Sequence, residues 1–150
     1  MKPTPPGWPR ISSALFYDDG AAAIDWLCRA FGFEVRLKIE DDSGRVAHSE
    51  LTFGEAVIML ADVSRQNPHA SQPFKRSPKS AGNVNTQHLC IFVDDVDAHC
   101  ARAREAGARI LMEPTTNDYG DDNGSNRIYG AEDPEGHAWS FMQRLRDPRQ

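Results

Sequence analysis

The chain repeats itself at an interval of 76 residues. Ser12-Ser-Ala-Leu-Phe-Tyr-Asp-Asp19 aligns with His88-Leu-Cys-Ile-Phe-Val-Asp-Asp95, placing Phe16 over Phe92 and both aspartate pairs in register. An apolar helical stripe comes after each segment. Ile24, Leu27, Cys28 and Phe31 form the first, and Val96, Cys100, Ala103 and Ala106 the second. Gly32 and Gly107 stop the two helices, with a one-residue slip, and Gly54 and Gly136 precede the last strand of each half. Each half therefore reads as a βαβββ unit. A unit of about 50 residues is too small to bury a good core alone, so the sequence predicts two such units used together.

Taken in order, residues 1–10 are proline-rich and read as an extended lead-in. Ile11 to Tyr17 is a predicted strand, Asp18-Asp19-Gly20 a turn or helix cap, and Ala21 to Phe31 a helix. Phe33 to Ile39 is the next strand. After the polar turn Glu40–Gly44, Val46–Phe53 and Ala56–Leu60 form a hairpin around Gly54-Glu55. Asp62 to Gln87 holds three prolines, four basic residues and His69 but no apolar period, and reads as a mobile linker. His88 to Val93 is a strand, Asp94-Asp95 a cap, Val96 to Ala106 a helix and Ala108 to Met112 a strand. Glu113 to Ser125 is a polar loop, and Leu145 to Gln150 a charged tail. Module one spans about 11–61, the linker 62–87 and module two about 88–143, within a single domain.

Composition excludes several function classes. The net charge is −5 with no basic stripe, which argues against nucleic acid as a partner. No apolar run approaches the roughly 20 residues needed to cross a bilayer, so no membrane partner is expected. The first ten residues lack an apolar signal core, which predicts a cytoplasmic protein. Three cysteines, Cys28, Cys90 and Cys100, are expected as buried, reduced thiols. Gly-rich phosphate loops, Cys-x-x-Cys and Gly-x-Ser-x-Gly are absent.

The last hairpin carries a resemblance. Between Arg127–Ala131 and His137–Met142 stands Asp133-Pro-Glu-Gly-His, in which Pro134 fixes a turn and Gly136 supplies backbone freedom. Together with the repeat and the Asp-Asp caps, this resembles the vicinal oxygen chelate superfamily of glyoxalases, bleomycin-resistance proteins and extradiol dioxygenases. The resemblance implies an α+β fold: two βαβββ modules forming a curved, barrel-like mixed sheet around a cleft, with helices on the outer face. It also implies a homodimer with clefts shared between chains. In metal-dependent members, the start of each first strand and a point on each last strand supply the ligands. Here those positions fall at Ser12, near Ile58 (with Met59 and Leu60 beside it), at His88 and at Ser140. Of these only His88 is a good ligand. His48 and Glu50, two apart on one strand face, could join it in holding a divalent metal, but the resemblance implies no complete cofactor site.

Strand parity assigns the faces. Leu89, Ile91 and Val93 suit a helix-covered side, which turns His88, Cys90 and Phe92 into the cleft; by the repeat, Ser12, Ala14 and Phe16 do the same. Ser140 belongs to the smaller, cleft-facing set of the last strand, and Trp139 to the core. Arg127 and Tyr129 share a face and are expected to join His88 and Phe92 in an aromatic pocket with a cation. His99 is expected to be exposed beside its helix stripe, and His137 to brace the hairpin. Three functions fit these residues: a small-molecule-binding protein of the glyoxalase/bleomycin-resistance type; a metal-dependent lyase, isomerase or dioxygenase; and a metal-free enzyme with His88 as its base. The first is the reading adopted, and whether the chain is an enzyme stays open at this stage.

Overall fold

A computed structural model describes residues 1–63 and 75–149. It divides into two compact units, Met1–Asn83 and Val84–Gln150. In unit one, strand β1 (Ala14–Tyr17) leads into helix α1 (Gly20–Phe31), followed by β2 (Glu34–Glu40), β3 (Val46–Phe53) and β4 (Ala56–Asp62). Unit two repeats the order with β5 (Leu89–Phe92), α2 (Val96–Glu105), β6 (Arg109–Asp118), β7 (Ser125–Glu132) and β8 (Ala138–Arg146). The sheets are ordered β1-β4-β3-β2 and β5-β8-β7-β6, each with one parallel and two antiparallel pairings. The fold class is the predicted α+β pair of modules. Its eight strands form two four-stranded sheets, one per module, with no ladder joining them among the described residues.

Each helix starts the same way. Asp19 accepts a hydrogen bond from the Ala22 N–H at 3.0 Å and Asp95 one from Ala98 at 3.0 Å, so the repeated aspartates are N-caps. A second cap comes from a residue of each last strand. Asp62 Oδ1 accepts from the Gly20 N–H at 2.6 Å, and Gln143 Oε1 from the Val96 N–H at 3.2 Å. Asp62 also accepts from the Val46 N–H at 2.6 Å, tying helix, β3 and β4 together. Gly32 ends α1 in the left-handed region at φ 86°.

Each core lies between its helix and one sheet face. In unit one Tyr17, Ile24, Leu27, Phe31, Leu51 and Leu60 are almost fully enclosed. In unit two Val96, Cys100, Ala103, Tyr129, Trp139 and Phe141 fill the same place. Trp139 is core, as expected. His99 is not an exposed bystander: its ring centroid lies 4.3 Å from that of Phe141 and its Nδ1 2.6 Å from the Tyr129 hydroxyl. Burial pushes the Tyr129 phenol well above its ordinary range. Cys100 is buried and Cys28 partly so, but Cys90 is exposed, against the expectation for all three. The thiol reading missed it because parity turns Cys90 away from α2.

Two boundaries differ from the sequence reading. β6 runs on to Asp118 through residues read as loop, with Pro114 accommodated between the irregular pairings of Met112 and Thr115 on an edge strand. The linker contains a short 3-10 turn, Lys79–Ala81, anchored by the Ser77 hydroxyl donating to Asp18 at 2.9 Å. His69 lies outside the described residues.

Candidate functional site

The chemistry-bearing residues gather on the sheet faces turned away from the helices. In unit one the ladder registers align Ala14, Met59, Glu50 and Leu37 in one row across the four strands. Phe16 pairs with Ala61 and His48 with Ile39 on the same face. Glu50 is only 8% exposed. A carboxylate so placed needs partners. Arg36 Nε supplies one at 3.1 Å, and His48 Nε2 lies 3.4 Å from the other oxygen. Arg36 in turn donates to the Gly7 carbonyl and stands 5.1 Å from the Trp8 ring centroid, so the N-terminal lead-in holds the guanidinium in place.

Sequence parity placed His48 and Glu50 together but missed Arg36. Val35 pairs with Leu51 and Leu37 with Glu50, leaving Arg36 as the extra residue of a β-bulge. A bulge re-aims a side chain that strict alternation would put on the opposite face. Only the interrupted register reveals this, and a lone arginine in an alternating strand carries no such signal.

In unit two His88, Cys90 and Phe92 are exposed, and Phe92 retains 54% of its surface. Cys90 pairs with Ser140, Phe92 with Met142, Gly130 with Ser140 and Ile128 with Met142, which defines an apolar face with a glycine at its centre. Met112 pairs with Gly130 from the edge strand, and Leu111 is the extra residue of a second bulge. Cys90 and Phe92 thus share a sheet side with Ser140, as parity anticipated, and His88 stands one residue before β5.

Arg127 and Tyr129 do not join them. Tyr129 pairs with Phe141 and Arg127 with Gln143, which places both on the side of α2. Arg127 makes a bidentate pair with Asp97 of that helix, at 2.8 and 2.7 Å, and donates to Thr116 at 3.1 Å. This pairing holds the Asp97 carboxyl below its usual range. Tyr129 is enclosed against His99 and Phe141. The aromatic pocket with an arginine is therefore corrected: the two residues share a face with each other, but it is the opposite one from Phe92.

The hairpin motif is structural. Asp133 Oδ1 accepts from the N–H groups of Glu135 and His137, each at 3.0 Å, and Oδ2 from Trp139 Nε1 at 3.1 Å. Asn85 adds a clamp by donating to the Gly136 carbonyl at 2.7 Å. A hollow of about 510 Å³ among the N-terminal residues is lined by Pro5, Trp8, Pro9 and Arg10 and is formed by the lead-in itself.

Residues 10–141 match the model of the Glyoxalase/Bleomycin resistance protein/Dioxygenase superfamily. The chain belongs to that superfamily. An uncharacterized protein of Mycobacterium bovis is 32% identical over 140 residues, covering 93% of this chain and 86% of that protein. TioX from Micromonospora sp. ML1 superposes with a TM-score of 0.69 at 28% identity, over 91% of this chain and 99% of TioX. TnmS3, an antibiotic binding protein from Streptomyces sp. CB03234, superposes at 0.61 with 21% identity, over 89% of this chain and 93% of TnmS3.

The superfamily's metal positions can be tested unit by unit. The ladder moves the last-strand position of unit one to Met59, because Met59 pairs with Ala14 as Ser140 pairs with Cys90. Unit one thus brings Ser12 and Met59, and unit two His88 and Ser140. A hydroxyl and a thioether are poor donors for a Lewis-acidic divalent ion, and one imidazole does not make a site of three or four ligands. Among the described residues no group of three or more His, Cys, Asp or Glu side chains is arranged to hold a metal. His48 and Glu50 are engaged with each other and with Arg36. The residues present do not fit the superfamily's metal.

Proposed function

We propose that this member of the superfamily binds a small organic molecule and sequesters it, as a cytoplasmic homodimer without a catalytic metal. The observation that carries this reading is the donor set. Of Ser12, Met59, His88 and Ser140, one residue is a good ligand, while the same faces present Phe16, Phe92, Ile128 and Met142 as contact surface for an apolar ligand. The shared fold with TnmS3, named as antibiotic binding, supports a binding role. Ser12, Phe16, His48 and Glu50 make up the candidate face of unit one, and His88, Phe92 and Ser140 that of unit two.

The test is elemental mass spectrometry after dialysis against Ni, Zn, Mn and Fe, with His88→Ala as control, and then a thermal-shift screen of aromatic and cationic compounds. The expected result is no retained ion, and a ligand that raises Tm. About one tightly held ion per chain, lost in His88→Ala, would overturn the reading. Sedimentation should give a dimer, and a stable monomer at micromolar concentration counts against shared clefts.

A further inference from the structure

Each unit places a cation over the phenylalanine of its first strand. In unit one Lys75 Nζ lies 4.7 Å from the Phe16 ring centroid. In unit two the Arg144 guanidinium carbon lies 5.8 Å from the Phe92 centroid. Phe16 and Phe92 are equivalent residues of the repeat, but their cations are not. Arg144 comes from β8, two residues beyond Met142, which pairs with Phe92. The corresponding end of β4 in unit one carries Asp62 and Val63, and the cation comes instead from Lys75, far along the linker. Two unrelated parts of the chain thus supply the same contact to the same position.

We infer that Phe16 is the floor of a site for an organic ammonium group, and that Lys75 is the chain's own occupant of that site. This deepens the small-molecule reading above and rests on it. The ring face is attractive to a cation through its quadrupole, more so when partly desolvated. Phe16 is half-buried, and its ladder partner Ala61 carries only a methyl side chain. His48, on β3, lies about 10 Å from Phe16 by strand spacing. That gap suits a compact ammonium group lying over the Phe16 ring. Lys75 is exposed and belongs to no strand, so it can leave the ring without disturbing a ladder, whereas Arg144 is fixed to β8 and further held by Asp147 at 3.7 Å. Unit one is therefore the exchangeable site, and Lys75 competes with any incoming cation.

The experiment uses the full chain and NMR titration with choline, read at Phe16 and Ala61, against the uncharged isostere 3,3-dimethyl-1-butanol. Lys75→Met should tighten choline binding about tenfold, the size of one cation–π contact. Phe16→Leu should abolish it, and the isostere should give no saturable shift. Arg144→Met should leave the unit-one titration unchanged and serves as a folded control. An unaltered choline affinity in Lys75→Met, or equal binding of the isostere, overturns the inference. If choline fails while a screening hit still shifts Ala61, the cation site falls and the small-molecule reading stands. If neither shifts that face, both fall.

Discussion

The two units carry the same bulge at the same place and put opposite chemistry on it. In unit one the extra residue is Arg36, and the residue opposite Leu37 is Glu50; in unit two the extra residue is Leu111, and the residue opposite Met112 is Gly130. A side-chain Cβ at Gly130 would meet Leu111 and Met112 at 3.7 and 3.6 Å, ordinary contact distances, so apolar side chains close over the glycine. The corresponding volume in unit one is filled by an ion pair with a histidine beside it. The backbone device is thus independent of what it displays. Duplication preserved the bulge, while the two displayed faces diverged into one charged and one apolar surface.

The hairpins diverge as well. β3 and β4 turn through Gly54-Glu55 with Phe53 edge-on to Phe33 at 5.6 Å, whereas β7 and β8 turn through a loop organised by the buried Asp133. Replacing Asp133 with Ala removes three hydrogen bonds to a carboxylate and should cost about 3 kcal/mol by urea denaturation. A loss below about 1 kcal/mol would show that the turn holds without it. Next in size is the ion pair. Glu50→Ala strips Arg36 of its buried carboxylate partner and should cost about 2 kcal/mol, whereas Arg36→Leu with Glu50→Ala, imitating unit two, should recover about half of that. Equal losses in the single and double variants would remove the case for unit two as an apolar replacement.

The second helix caps offer a direct pairwise test. Asp62→Ala loses two short bonds to a charged acceptor and should cost about 2 kcal/mol, against about 0.5 kcal/mol for Gln143→Ala, which loses one longer neutral bond. Similar losses would mean that the two caps are energetically equivalent. Tyr129→Phe should cost about 1 kcal/mol, for the bond shared with His99. It carries a pH signature. The phenol titrates from its ordinary 10.0 upward in the folded state, so above pH 10 the unfolded chain loses that proton first. Stability should then fall as pH rises past 10, and the Tyr129→Phe variant should lack that part of the slope. An identical alkaline slope in both proteins would assign it to other groups.

Much of the fold was legible because it rests on local chemistry repeated twice. Asp19 and Asp95 act as caps, Gly32 stops its helix, and Ile24, Leu27, Phe31, Val96, Cys100 and Ala103 of the two apolar stripes are buried, with Cys28 and Ala106 half-buried at their margins. Strand parity correctly turned Cys90 and Phe92 away from α2 and enclosed Trp139. It failed for Arg127 and Tyr129, where the second-last strand was given a face without reference to its ladder partners. Gln143 and Phe141 show which side those residues occupy. His99 was misjudged for a related reason: its partner, the Tyr129 hydroxyl, is 30 residues away in sequence.

By itself the sequence determined the duplicated βαβββ plan, the helix caps and the last hairpin, because each depends only on residue type and short-range spacing. The tertiary structure alone decided which side chains meet. The bulge that turns Arg36 toward Glu50, the second cap from Asp62 and the placement of Lys75 over Phe16 all depend on register between segments distant in the chain. A ladder fixes register through hydrogen bonds of the whole sheet, and one inserted residue switches the face of every later residue in its strand; neither is written in the local pattern.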